Sequence, residues 1–336
     1  MDLGKRTITL IICAAMLLLI LPFSSCSAPS VYSEGEGDLR IVTSSFVPFD
    51  LTREVAKDKA TVSVLQTNGA DLHSYVPDAS ALKALTEADV FVYIGGVSDE
   101  LWAQELIEAA QNPSLTVIKL IDLAECHIAE LEGHTHSLLC KSNHTQKLSG
   151  SHSHGDGHDH EHDHDEHVWT SIRTVIKAVE KITEICASID PVNADFYKSS
   201  SESYISELIK LDAQYADAIA GSEKKTLVFA DRFPFIYLVA DYGLCYYAAF
   251  SGCSSEVNAS FETHVSLTNA VKKNGLDAVI ITEASDGELA AAISRETGCK
   301  VLTLDSLQSV GRKGIADGAS YIETMRKNLI ELKKAL

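Results

Sequence analysis

The sequence predicts an α/β protein with two lobes, each a parallel four-stranded sheet flanked by helices, joined by one long backbone helix. Two observations support this fold class. Short apolar runs alternate with amphipathic segments in both halves of the chain, which is typical of parallel sheets with right-handed crossovers. Between the halves lies a long segment with a helical stripe. The 336 residues, 46% of them hydrophobic, suffice for two cores.

The strands and helices follow from the period of the apolar residues. In the first half we expect strands at 39–46, 61–66, 89–95 and 115–120, and helices at 50–58, 80–88 and 99–111. In the second half we expect strands at 226–230, 244–250, 277–282 and 300–304, and helices near 233–242, 260–274, 286–298 and 315–334.

The connecting segment at 190–221 predicts a single long helix. Five apolar residues recur there at steps of three or four and would form one stripe: Tyr204, Leu208, Leu211, Tyr215 and Ile219. Pro191 suits a helix start and Gly221 a helix stop. About 24 helical residues would span roughly 36 Å. Because a helix resists bending, we expect the lobes to close only modestly.

The first 25 residues are typical of a secretory signal peptide. The basic pair Lys5 and Arg6 precedes an apolar run at 7–21 that is short for a membrane-spanning helix. The following "FSSC" resembles a lipobox, so Cys26 is the expected lipidation site. Ordinary secretion and an uncleaved anchor are the alternatives. Residues 26–38 should form a flexible tether, which would hold the protein at the outer face of the cytoplasmic membrane.

The charge of the chain limits its partners. A formal net charge of −19 argues against nucleic acid and anionic lipid and suits a protein that attracts cations. No second apolar run of about 18 residues follows the signal, so membrane contact should be confined to the N-terminus.

The cysteines do not predict a structural zinc site, because none of the eight forms a CxxC pair. Outside the membrane, disulfides are allowed. Cys253 could pair with Cys299 or Cys245, and buried free thiols are the alternative.

The stretch "SHSHGDGHDHEHDHDEHVWT" (151–170) is rich in histidine and acid and nearly lacks apolar residues. It cannot bury enough surface to offset its ordering entropy, so we expect a loop. Its imidazoles offer weak metal-collecting positions: His152, His154, His158, His160, His162 and His164. A fast collector of scarce zinc, a buffer against overload and a tolerated insertion are the three interpretations.

Four residues stand where ligands bind open parallel sheets, outside the carboxyl ends of strands or at a fixed helix start. They are His73, His167, Asp231 and Asp305. Each has a plainer interpretation. His73 could be a solvated loop residue and His167 the last member of the histidine run. Asp231 and Asp305 could be helix caps.

In this order and spacing, five segments resemble the zinc/manganese-type substrate-binding lipoproteins of ABC importers, over nearly all of the chain after the signal. The segments are "GADLHSYVPDAS", "EHVWT", "DPVNADFY", "YLVADYGL" and "TLDSL". The resemblance implies a metal cleft between the lobes, with His73 and His167 as the first and second ligands and Asp305 as the fourth.

The third ligand departs from the family pattern. The matching position, five residues before Tyr237, is Arg232, which stays protonated and cannot bind a metal. We expect Asp231 to take the role, with Glu256 and His264 as alternatives. Arg232 would then be an outer cation or pair with an acid such as Glu256.

The resemblance implies a receptor that captures a divalent ion and delivers it to the membrane permease and ATPase of an ABC importer. It further implies a monomer without catalysis. The histidine-rich insertion favours Zn²⁺, whereas two carboxylates favour Mn²⁺ as the alternative. A surface adhesin is a second class of function. A metallohydrolase lacks support, because the HExxH match at 160–164 lies in the expected loop, whereas the motif needs a helix to bring its two histidines to one face.

The sequence therefore divides as follows: signal peptide 1–25, tether 26–38, N-terminal lobe 39–189 with the histidine-rich loop 134–166, linking helix 190–221, and C-terminal lobe 222–336.

Overall fold

The computed structural model describes residues 31–69, 74–124, 165–252, 254 and 259–336. Within these ranges nine strands occur: β1 Tyr32–Glu34, β2 Leu39–Thr43, β3 Ala60–Val64, β4 Val90–Tyr93, β5 Thr116–Lys119, β6 Thr226–Phe229, β7 Cys245–Ala248, β8 Ala278–Thr282 and β9 Lys300–Leu304. The described helices are α1 Phe46–Ala56, α2 Ala79–Thr86, α3 Glu100–Ala110, α4 Ile172–Ile189, α5 Ala194–Ala220, α6 Ile236–Asp241, α7 Phe261–Asn274, α8 Glu288–Thr297, α9 Arg312–Ala316 and α10 Tyr321–Ala335.

The N-terminal lobe is built on a five-stranded sheet in the order β1-β3-β2-β4-β5. Four strands are parallel, as predicted, but β1 adds an antiparallel edge, with Tyr32 opposite Val64. The expectation of a flexible tether at 26–38 is therefore wrong for the residues of β1. The Tyr32 ring also meets the Phe49 ring edge-on, at 6.1 Å between centroids. A strand of three residues is too short for its alternation to be recognised in sequence.

The C-terminal lobe contains the predicted parallel four-stranded sheet, in the order β7-β6-β8-β9. The first parallel strand of each sheet, β2 and β6, lies inside its sheet with a later strand on either side. The chain therefore reverses its direction of progress across the sheet. The carboxyl ends on the two sides of such a reversal form a crevice that suits a ligand.

The long helix α5 has 27 residues, which corresponds to about 40 Å. The predicted stripe is buried throughout. Near its C-terminal end, the Tyr215 hydroxyl donates a hydrogen bond of 2.7 Å to the carbonyl of Met325 on α10. One apolar cluster runs through both lobes and includes residues such as Ile41, Trp169, Leu208 and Phe229. A shared core of this kind favours limited movement between the lobes.

Two further sequence expectations concern cysteines and membranes. Cys186 and Cys299 are buried free thiols, so the Cys253–Cys299 pairing is wrong. Cys245 is disulfide-bonded, and its partner lies outside the described residues. In the part of the chain that the structure describes, no helix is both long and apolar enough to cross a bilayer. The signal peptide and Cys26 lie outside that part.

Candidate metal centre

The carboxyl ends of β6 and β8 border a cavity of about 350 Å³ that residues from both lobes line. Its polar lining includes Asp231, Arg232, Glu283, Ser306 and Gln308, and Gly69 comes from the N-terminal lobe. An adjoining cavity of about 700 Å³ is lined by Asp305, Arg312 and again Gly69. The loop that leads from β3 towards the predicted first ligand therefore enters between the two lobes.

The loop after β3 approaches the backbone of the C-terminal lobe closely at Gly69 and Gly311. A Cβ on Gly311 would stand 2.7 Å from the backbone nitrogen of Gly69, so a larger residue would force the loops apart. The Arg312 backbone N–H donates a hydrogen bond of 2.8 Å to the Thr67 carbonyl. His73 itself lies outside the described residues, as do Glu256 and the six collecting histidines.

His167 is completely buried and stands directly before a 3₁₀ turn, Val168–Thr170, that leads into α4. The Ser171 hydroxyl caps α4 by accepting the Thr174 N–H. The His167 Nδ1 lies 2.9 Å from Asp165 Oδ1, and the His167 backbone N–H donates to the same oxygen at 2.9 Å. A carboxylate accepts hydrogen bonds, so a proton on Nδ1 satisfies the contact and leaves the ring lone pair on Nε2.

The His167 segment bridges the two lobes, although the sequence assigns it to the N-terminal one. Tyr237 of α6 donates from its hydroxyl to the Asp165 carbonyl at 2.8 Å. The indole N–H of Trp169 donates to the Ser306 carbonyl at 2.9 Å. Both partners belong to the C-terminal lobe, and Ser306 is the neighbour of Asp305. The second predicted ligand is thus tied to the loop that carries the fourth.

Asp231 follows β6 and faces the cavity, as predicted from its place at a strand end. Its Oδ2 accepts from the backbone N–H of Thr282 at 3.0 Å and from the Thr282 hydroxyl at 2.5 Å. It is not a helix cap, because α6 begins at Ile236 with Phe235 at its cap position. Asp231 therefore fastens the end of β6 to the end of β8 and presents a carboxylate to the cavity.

Asp305 follows β9, and its Oδ1 accepts the Leu307 N–H at 2.8 Å. This contact closes a local turn and does not cap a helix, since α9 begins later, after Gly311. Burial, with the Glu283 carboxylate as a further cause, raises the pKa of Asp305 to about 6. A bound cation would stabilise the ionised form against both effects.

The alternative ligand His264 lies on α7, where its Nε2 is 3.2 Å from Glu296 Oε1 on α8. It lines a separate cavity of about 830 Å³ that also touches Asp231 and Phe250. The acidic neighbour of His264 is therefore Glu296, which does not belong to the predicted ligand set.

Sequence reasoning missed two carboxylates. Glu283 directly follows β8, and its oxygens accept from the Ser306 N–H and from the hydroxyls of Ser306 and Ser309, each at 2.8 Å. The strand-end rule that found Asp231 and Asp305 would have found it. Asp165 was hidden inside the acidic run before His167, and only its contact with the imidazole distinguishes it. Among the described residues, no group of three or more histidine, cysteine or acidic side chains is arranged to hold a metal ion.

Comparison with known proteins places these features in a family. The family model "Zinc-uptake complex component A periplasmic" matches residues 41–335. The zinc-binding lipoprotein AdcA of Streptococcus pneumoniae is 30% identical over 307 residues, which cover 91% of this chain and 58% of that protein. The high-affinity zinc uptake system protein ZnuA of Bacillus subtilis is 27% identical over 329 residues, 97% of this chain and 96% of that protein.

Solved structures give the same picture. The Zn(II)-bound ZnuA-like domain of S. pneumoniae AdcA superposes with a TM-score of 0.67 at 28% identity, and the match covers 89% of this chain and 99% of that domain. The B. subtilis lipoprotein YcdH gives a TM-score of 0.69 at 23% identity, with 89% and 99% covered, and supports the fold alone. This chain spans 58% of the length of AdcA and corresponds to its ZnuA-like part.

Proposed function

The chain belongs to the family of the zinc-uptake complex component A, and from that premise we propose that it is an extracytoplasmic receptor for zinc. It would bind one Zn²⁺ ion between its lobes and deliver it to the permease and ATPase of an ABC importer. The names of AdcA and ZnuA, both zinc proteins, support this proposal. The observation that carries it is the buried His167, whose Nδ1 contact with Asp165 leaves the ring lone pair on Nε2, the atom that would bind the ion.

The proposed ligand set is His73, His167, Asp231 and Asp305. The three described members have chemistry that fits zinc, since each supplies an imidazole nitrogen or a carboxylate oxygen. The Nδ1 contact fits as well, because ligating histidines usually donate their other N–H to an oxygen. Arg232 beside Asp231 would offset part of the charge of the two carboxylates. Mn²⁺ remains the alternative cargo, because carboxylate-rich sites suit it.

The surroundings of the receptor are part of the same proposal. Cys26 would carry the lipid that holds the protein at the outer face of the membrane. The histidine-rich loop would collect zinc and pass it to the buried site. We expect a monomer, and no catalytic step is proposed.

A zinc titration with a competing chromogenic chelator tests the function. Metal-free protein should bind one tight equivalent and several weaker ones, and His167→Gln should lose the tight equivalent while His264→Gln keeps it. Anomalous scattering at the zinc edge should then locate the ion beside His167. A wild-type protein without a tight equivalent, or a His167→Gln variant that keeps it, would contradict the proposal.

A further inference from the structure

Asp165 is deeply buried, and its carboxylate accepts two hydrogen bonds from one residue, His167. Its side chain is only 2% exposed, and its Oδ1 accepts both the Nδ1–H and the backbone N–H of His167, each at 2.9 Å. Burying a carboxylate costs several kcal/mol unless hydrogen bonds compensate the lost hydration. His167 donates two hydrogen bonds to the Asp165 carboxylate, so the carboxylate and the imidazole hold each other in place.

The Asp165–His167 pair is held from several sides. A Cβ on Gly252 would lie 2.8 Å from His167 Cε1 and 3.1 Å from Asp165 Oδ2, so the backbone there covers both groups closely. The Tyr237 hydroxyl holds the Asp165 carbonyl at 2.8 Å. The Trp169 ring lies 5.2 Å from the imidazole, measured between centroids. With the ring confined, the hydrogen bond at Nδ1 decides which nitrogen carries the lone pair.

We propose that Asp165 is a positioning residue for the metal ligand His167, an inference that rests on the proposed function. Asp165 holds the imidazole in the tautomer with the proton on Nδ1, so that Nε2 is ready to bind zinc. Its negative charge also raises the electron density on Nε2 and so strengthens the bond to the ion. Neutral imidazole in water lacks this bias, and part of the binding energy would otherwise be spent on selecting the tautomer.

The chain offers a matched control one residue away. Glu166 is also completely buried, but its Oε2 accepts the Ser98 backbone N–H at 2.7 Å. Gly96 of the N-terminal lobe also packs closely against the Cβ of Glu166. Glu166 therefore matches Asp165 in charge, burial and distance along the chain from His167. It differs in its hydrogen-bond donor, which is the Ser98 backbone N–H in place of the imidazole N–H that Asp165 accepts.

The test compares Asp165→Asn with Glu166→Gln in the full chain, using zinc itself in chelator competition. Loss of an oxygen partner of a ligating histidine typically weakens metal binding by about 10- to 100-fold. Asp165→Asn should show that loss with the melting temperature of the metal-free protein nearly unchanged, and Glu166→Gln should change the affinity by less than about threefold. Equal losses in the two variants, or an undiminished affinity in Asp165→Asn, would overturn the proposal.

The tautomer is measured separately in the metal-free protein by nitrogen NMR of ¹⁵N-histidine, with the His167 signals assigned by their absence in His167→Gln. The wild type should carry its proton on Nδ1, and Asp165→Ala should shift His167 towards a mixture of tautomers. A wild-type proton on Nε2 would refute the positioning role. Because this measurement needs no metal, it tests Asp165 even if the wild type were to bind no zinc, a result that would count against the proposed function alone.

Discussion

Replacing Asp231 by Asn separates a metal ligand from a structural fastener at the end of β6. The amide oxygen of Asn can still accept a hydrogen bond from Thr282, so the fastening survives in weaker form. Charge-assisted bonds contribute about 1 kcal/mol more than neutral ones. Asp231 accepts two such bonds from Thr282, so the metal-free variant should lose no more than about 2 kcal/mol of unfolding free energy.

The effect on zinc should be larger, because an amide is a poor ligand for zinc. Zinc at 1,000 times its dissociation constant stabilises the folded state by about 4.1 kcal/mol. A 100-fold weaker site would remove about 2.7 kcal/mol of that. In a chain of this size each kcal/mol corresponds to roughly 2–4 °C of melting temperature. The zinc-induced rise should thus shrink by about 5–11 °C.

Calorimetric melting with and without zinc measures both quantities. Thr282→Val is the matched control, because it removes a hydrogen-bond donor to Asp231 and leaves the carboxylate. It should lower the metal-free melting temperature slightly and keep most of the rise. If Asp231→Asn keeps the full rise while Glu256→Gln or His264→Ala abolishes it, the assignment of the third ligand is wrong.

Three further predictions concern the loop and pH. Deletion of residues 134–164 should remove the weak zinc equivalents and keep the tight one in calorimetric titration, and loss of the tight site would mean that the loop itself is the receptor site. Zinc affinity should fall steeply from pH 7 to pH 5, because protons compete with the ion for its ligands. Free histidine titrates near ~6.5, and burial raises the pKa of Asp305 to about 6. An unchanged affinity at pH 5 would refute a site with two histidines. Burial likewise raises the pKa of Asp50 to about 6, although Arg53 opposes the shift. Because the pKa of Asp50 is higher in the folded than in the unfolded state, its protonation stabilises the fold. This contribution to stability is present below pH ~4 and is lost as the pH rises through about 6. Between pH 4 and pH 7 the wild type should therefore lose about 2–3 kcal/mol more unfolding free energy than Asp50→Asn, as measured by denaturant unfolding of the metal-free protein. Parallel pH profiles of the two proteins would contradict this account.

Local patterns in the sequence predicted most of the fold. Seven of the nine described strands and the long helix α5 fall within the segments expected from apolar periodicity, and β3 begins one residue before its expected segment. The period of an apolar run is set by the geometry of the backbone itself, so it survives without knowledge of the partner. The edge strand β1 escaped, because its place depends on pairing with β3 and not on its own three residues.

The candidate site divides in the same way. The positions of Asp231 and Asp305 beside the cavities could be predicted, because parallel strands bring their carboxyl ends to one edge of a sheet. The role of each carboxylate could not, since Asp231 meets Thr282 of a different strand and His264 meets Glu296 of a different helix. The outcome of such pairings depends on how the sheets and helices pack, which no local pattern contains.

The sequence by itself determined the class of the protein, the alternation of strands and helices and the bracing helix. Only the tertiary structure decided that the His167 segment joins both lobes and that Asp165 holds its imidazole. It also decided that Glu283 binds the loop beside Asp305. The reason is physical: propensity and periodicity act between near neighbours in the chain, whereas burial and hydrogen bonding act between groups that meet only after folding. Trp169 and Ser306, for example, lie 137 residues apart in sequence and 2.9 Å apart in the folded protein.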